Sequence, residues 1–311
     1  MKSPLTAKPG CRPGPKPYYV KLTARSAACP RAALPATIVD MLRRLLPYAG
    51  WLFCLPFLFF ILFYFYPLGT IFKFSFFPVG RIQLGALSDI ITTPYYWDIL
   101  WFTFWQAALS TLLVLLLALP GAYIFARYQF WGKETIRTIS TLPFVLPTVV
   151  VANAFLALIG TRGIINRFLM DLFDLSQPPI NLQFTIWAIL LAHIFFNYSV
   201  ALRIISNAWQ NLGPELGQAA QMLGSSPRRA FWLVTLPLLR PSVTAAGVLV
   251  FIFCFTSFGV ILILGGPRFA TLEVEIYRQA VNLFNLPVAA ALSIFQILFT
   301  FGFMWLYTHH Q

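Results

Sequence analysis

Acidic side chains are nearly missing from this sequence: nine Asp and Glu stand against 22 Lys and Arg, and all four types make up only 10% of 311 residues. A chain that is 59% hydrophobic cannot cover a soluble surface with so few polar groups, so a globular water-soluble protein is excluded. The acids fall in the N-terminal tail, in loops or at the edges of apolar runs, which speaks against a proton-coupled mechanism built on membrane-embedded carboxylates. Cysteine is equally sparse. Cys54 and Cys254 lie within apolar runs, while Cys11 and Cys29 are isolated in the tail without CxxC spacing or a nearby His. His309 and His310 at the C-terminus are two ligands where zinc needs more. No Ser, His and Asp arrangement is legible, so neither a catalytic residue nor a metal site is assigned. A phosphate-binding loop is also lacking: "GKE" at 132–134 has Arg127 at the upstream glycine position and Glu134 where Ser or Thr would touch magnesium. The chain by itself is expected to bind no ATP and no other cofactor.

What the sequence does have is length of apolar run. Six stretches, Leu45 to Phe72, Ile99 to Phe125, Ile136 to Ile159, Phe184 to Leu202, Val243 to Leu264 and Val288 to Tyr307, are long enough as helices to cross about 30 Å of hydrocarbon. They are too long for barrel strands, and in lipid the backbone must satisfy itself within each segment. The expected class is an all-α integral membrane protein with six transmembrane helices and both termini on one side. Sorting the loops by side places 16 of the 22 basic residues and three acids on the face of the termini, a net +13; the other face holds six of each and sums to zero. The positive-inside rule makes the first face cytoplasmic. The basicity is thereby explained by topology and anionic lipid, and nucleic acid is not needed as a partner.

Residues 1–44 form a Pro-rich basic tail without an apolar period or a signal-peptide core, read as disordered and given no function; Met41 looks like a more ordinary start. Residues 45–311 then form one membrane domain, with its longest inter-span cytoplasmic loop at 203–240. Polarity within the spans is mild. His193 and Asn197 are four apart and share one helix face, and Asn153, Gln106 and Gln296 are read as buried amides. Two readings stand for them: hydrogen bonds between helices, or, for Asn153, His193 and Asn197, the lining of a translocation path. Pro143 and Pro147 in "LPFVLP" free two helical carbonyls near the start of the third run, as a packing kink or as a hinge.

The loop contains "GQAAQMLGSSPRRAFWLVTLPLLRP" at 217–241. Pro214 suits a first helical turn, Glu215 complements its positive end, and Gly224 is a stop. Ser226 is an N-cap and Pro227 the first residue of a second short helix that is expected to run until Pro237. Ala219 and Ala220 offer a small surface to another protein's backbone, and Arg228 and Arg229 can face phosphate or acid.

This stretch resembles the E-A-A, three residues, G, nine residues, I, one residue, L-P signature of permeases of binding-protein-dependent importers of the ATP-binding-cassette (ABC) type. Gln218, Ala219, Ala220, Gly224, Val234, Leu236 and Pro237 stand at the family spacing, with Gln218 in place of the acid and Val234 in place of Ile. "LPFVLPTVVVANAFLALIG", "LLAHIFFN", "FTSFGVILILGG" and "TLEVEIYRQA" are similar to the first half of the thiamine and iron(III) permeases, over about residues 45–307. The resemblance implies the type I importer permease fold in the inner membrane and a coupling helix at Gln218–Gly224 seated on a separate pair of ATPase subunits. It also implies a second permease half, identical, separate or fused, and an extracytoplasmic substrate-binding protein. Gln218 then bears on a polar contact to the ATPase. The rivals are a channel or secondary transporter, which should carry polar or charged groups at the membrane midplane, and a membrane enzyme, which should cluster His or acids at one interface.

Overall fold

The computed structural model describes residues 54–77 and 85–309, the side chain of Leu306 excepted. The tail expected at 1–44 and the start of the first span lie outside the described residues. The chain divides into residues 1–64 and residues 65–311. Of the first unit, residues 54–64 are described. They are helical, and the large apolar side chains from Leu55 to Phe63 are each at least 55% exposed.

The second unit is helical throughout its regular structure among the described residues. Its helices are α1 (Tyr66–Phe76), α2 (Gly85–Thr92), α3 (Pro94–Arg127), α4 (Lys133–Val145), α5 (Thr148–Ile159), α6 (Ile164–Phe173) and α7 (Ile186–Leu212). They continue with α8 (Glu215–Met222), α9 (Pro227–Ala230), α10 (Leu236–Phe255), α11 (Gly259–Leu264), α12 (Leu272–Tyr277) and α13 (Leu286–His309). Among the described residues, six stretches are long and apolar enough to cross a membrane: Cys54–Phe76, Pro94–Arg127, Thr148–Phe173, Ile186–Leu212, Pro227–Phe255 and Leu286–His309.

Three expectations are corrected, each through proline or glycine. The third run is not one helix from Ile136 to Ile159. Pro143 fits inside α4, but at Leu146 and Pro147 the backbone turns extended, with ψ of 141° and 131°, and α5 starts afresh. The apolar crossing is carried onward through the bend at Gly160–Gly163 into α6. The fifth run does not continue from Val243 to Leu264: α10 ends at Phe255, and α11 begins only at Gly259. Nor does the second helix of the loop stop at Pro237. The turn Phe231–Thr235 is π-helical, and the Leu236 amide donates to Phe231 O five residues back. Widening the helix there absorbs a proline that has no N–H to give, so α9, this turn and α10 form one uninterrupted run.

The packing centre is α3 against α7 and α10. Ala107, Ala118, Ala122, Ala201 and Ala246 are all 0% exposed, and Gly121 meets the Tyr198 hydroxyl so closely that a methyl would collide. Lipid is as apolar as these side chains, so the helices gain their attraction from close van der Waals approach, which small residues permit. A second cluster joins α5, α7 and α11 around Ala152, Ala192 and Ile261, and a third joins α13 to α1 and α2 around Phe76, Ile90 and Leu292. The two ends of the bundle differ. Arg127 and Arg137 cap one end on Gly213 O (2.7 Å) and Asn207 Oδ1 (2.6 Å). Buried Glu275 organises the other, accepting from Tyr95 Oη at 2.9 Å and Gln279 Nε2 at 2.7 Å and pairing with Arg278 Nε at 3.4 Å.

Candidate functional site

Two regions gather the residues singled out by sequence. In the loop, α8 closes on a left-handed Gly224 (φ 88°). The Gly224 amide donates to Gln221 O at 2.9 Å and the Ser225 amide to Ala220 O at 3.1 Å. These are the paired bonds of a Schellman stop, which satisfies carbonyls a helix end would leave bare. Ser226 Oγ accepts from the Arg229 amide at 3.3 Å and starts α9. Ala219 is exposed and Ala220 partly so. Beside them stand Leu216, Met222 and Leu223, at 49%, 89% and 89% exposure. Sequence reasoning passed over these three, although Leu216, Ala219 and Leu223 have the i, i+3, i+7 spacing of one helix face.

The end of α7 and the linker that leads into α8 are anchored to the bundle. Arg127 Nη2 bonds Gly213 O, and Gln210 Nε2 donates to Phe125 O at 3.2 Å. Trp209, 2% exposed, stacks on Phe231 with ring centres 5.9 Å apart and meets Tyr123 at 5.3 Å. Gln218 and Gln221 border the crevice of about 250 Å³ between α8 and Arg127, Trp209 and Phe231. Gln218 therefore borders this chain's own helix ends, a placement the family pattern alone did not suggest. Val234 and Leu236 are half-buried and Pro237 is exposed, all at the join into α10.

The second region is a cleft of about 410 Å³ where the broken ends of helices meet. The break at Leu146–Thr148 and the break at Thr256–Gly259 both border it, and a methyl on Gly259 would stand 2.5 Å from Thr148 Oγ1. His193 and Asn197 are brought together in it as their spacing predicts, at 2% and 4% exposure. They also bond between elements: Ser110 Oγ lies 3.0 Å from His193 Nδ1, and Asn197 Nδ2 donates to His193 O at 3.0 Å and to Cys254 Sγ at 3.5 Å. Gln106 Nε2, fully buried, donates to Cys254 O at 3.0 Å, the last turn before the break. Asn153 is corrected: it is exposed on α5, outside the cleft, and donates to Val149 O of its own helix at 2.9 Å.

Glu273 is a further departure from the sequence reading. Its carboxylate accepts from Gln296 Nε2, and Gln296 stands ten residues, or about 15 Å, inside α13. An acid placed in a loop by sequence thus lies against the interior of the last span. Burial holds its carboxyl above the usual carboxylate range, partly offset by the Gln296 hydrogen bond.

Residues 118–311 match the family described as binding-protein-dependent transport system inner membrane component. The thiamine transport system permease protein ThiP of Brucella abortus (strain 2308) is 36% identical over 208 residues, 66% of this chain and 38% of that protein. ThiP of Haemophilus influenzae is 34% identical over 254 residues, 81% of this chain and 45% of that protein. The molybdenum transport system permease protein ModB of Mycobacterium bovis is 33% identical over 217 residues, 69% and 79% of the two chains. The chain spans less than half the length of these ThiP relatives. The crystal structure of a bacterial ABC transporter involved in the import of the acidic polysaccharide alginate is similar in fold, with a TM-score of 0.66 at 19% identity over 88% of this chain and 98% of that one.

Proposed function

The chain belongs to the family of binding-protein-dependent transport system inner membrane components, and from that premise we propose that it forms one half of the membrane path of an ATP-driven importer of thiamine. As a multi-pass permease component it is not the subunit that hydrolyses ATP. The observation that carries the coupling role is α8 itself. Its Schellman stop fixes a short helix that packs on the turn Phe231–Thr235 and follows a linker held by Arg127, while Leu216, Ala219, Met222 and Leu223 are left uncovered. Apolar side chains exposed at the basic end suit a groove on a partner ATPase, and the charge asymmetry puts that end in the cytoplasm.

Motion delivered to α8 has a mechanical route. From Pro227 the helix runs unbroken for 29 residues to Phe255, about 40 Å, and ends beside Thr256 at the cleft. Closure of two ATPase subunits would pull Gln218–Gly224 and rock this lever, with Val234, Leu236 and Pro237 at its base. One half encloses only one wall of a path, so a second permease half, identical or not, completes it, and a binding protein delivers the solute on the far side. Of thiamine and iron(III), the two cargoes the sequence resemblance favours, similarity to ThiP supports thiamine.

The test is reconstitution in liposomes with the candidate ATPase, second half and binding protein, measuring ATP-dependent uptake of thiamine and of iron(III). Thiamine uptake abolished by a catalytically dead ATPase is the expected result. Equal uptake with the dead ATPase would overturn coupling and favour a secondary transporter, and uptake of iron(III) alone would overturn the cargo.

A further inference from the structure

We propose that the cleft at the two helix breaks is a holding site for a planar heteroaromatic solute, so that this permease half selects its cargo in addition to any selection by a binding protein. The proposal rests on the reading that the chain lines an import path. Its argument is the chemistry of the wall. Phe144, Phe196, Phe253 and Phe258 face a space of about 410 Å³, the size of a small-molecule site, and none of the residues bordering it is Asp, Glu, Lys or Arg. Phe144 and Phe253 stand with ring centres 5.6 Å apart at 49°, a splayed pair against which a flat ring can stack.

Polar recognition is concentrated at His193. Its Nδ1 is occupied by Ser110 of α3, whereas its Nε2 is buried and has no partner. His193 borders the cleft, and Nε2 is its one ring nitrogen without a partner. Whichever atom of the Ser110–His193 pair carries the proton, Nε2 is left as a donor or an acceptor in want of a partner. A ring nitrogen or exocyclic amine of a heterocycle supplies one. The phenyl faces tolerate a positive charge on that ring through cation–π attraction. A tetrahedral oxyanion would lose its hydration without meeting any fixed cation, a cost the wall does not offset. The chain is similar to permeases named for thiamine and for molybdenum, and the cleft separates these two chemistries.

The experiment reads the cleft directly. In the full chain assembled with its ATPase and second half, with the four native cysteines replaced, Ser257→Cys supplies a thiol at the wall. Its alkylation by a maleimide is followed with thiamine, a pyridinium analogue of thiamine, molybdate or glucose present. Thiamine and its analogue are expected to slow labelling about tenfold at saturation, and molybdate and glucose to leave it unchanged. Phe196→Ala and His193→Ala should each weaken protection by about tenfold, and His193→Gln, whose amide offers both donor and acceptor, should recover part of it. ATPase co-purification serves as the check that each variant is folded. Protection by molybdate, no protection by either aromatic solute, or full protection in His193→Ala would overturn the proposal. Protection without ATP-dependent thiamine uptake would leave the holding site standing and overturn the proposed cargo; uptake without protection would do the reverse.

Discussion

The loop at 213–241 and the cleft beside Thr256 are joined by a single helical run, Pro227–Phe255, yet they are built from different information. The loop is assembled from neighbours in sequence: Ala220 and Ser225, Gln221 and Gly224, Ser226 and Arg229 are bonded across three to five residues. The bundle behind the cleft is assembled from strangers: Ser110 and His193 are 83 residues apart, Gln106 and Cys254 are 148, and Thr103 and Leu272 are 169. A lesion in the loop should therefore act locally and on the partner, whereas a lesion beside the cleft should loosen the whole bundle.

The largest effect expected is in the loop. Gly224→Pro places a residue restricted to negative φ where φ is 88° and removes the amide that bonds Gln221 O. Co-purification with the ATPase should be lost, as it should in Ala220→Arg, while membrane insertion and the melting temperature of the purified chain stay close to the original. Normal co-purification of both variants would break the assignment of α8 as the docking element.

Next in size is Glu275→Ala at the opposite end of the bundle. It strips the carboxylate from Tyr95, Gln279 and Arg278 at once; the half-exposed Arg278 turns to water, and the buried Gln279 amide left unmet costs about 2 kcal/mol. Thermal unfolding should report that loss with ATPase binding unaffected. Thr103→Val is smaller. It deletes the hydroxyl that accepts from the Leu272 amide at 3.0 Å, about 1–2 kcal/mol for a buried donor left unmet, and exchange protection should fall at Leu272 and along α12. Ser226→Ala, at the local end of the comparison, should cost about 1 kcal/mol and raise amide exchange at Arg229 without spreading to α10.

The smallest expected effect is a pH dependence. Burial raises the Glu273 carboxyl above its ordinary 4.5, so the folded chain keeps that proton to higher pH than the unfolded chain does. The stability tied to it is complete below 4.5 and is lost as pH rises through the raised value. Melting temperature should drift down across that window in the original chain and flatten in Glu273→Gln.

Much of this was legible in the residues. Helix length, the charge asymmetry, the glycine stop and the serine cap are consequences of local chemistry, and each names its own position. The i, i+4 pairing of His193 and Asn197 likewise survives into the cleft. What misled was proline counted as a terminator. Pro237 passes because the preceding turn widens, and only the packing of Phe231 on Trp209 shows that turn in place. Pro147 does interrupt, because the chain there turns into the wall of the cleft. Asn153 and Gln106 looked alike as amides in apolar runs. One faces outward and the other is wholly buried, and an apolar span in lipid offers no periodic polar face to tell them apart.

The sequence by itself determined the class of this protein, its six crossings, the two ends of its charge and the short helix of the loop with its stop, because each follows from composition or from contacts a few residues long. Only the tertiary structure decided where the helices break, that Glu273 lies against the interior of the last span, and that His193 keeps one nitrogen unpaired beside four phenyl rings. Those features depend on which distant helices approach closely enough to satisfy, or to leave unsatisfied, one another's polar groups.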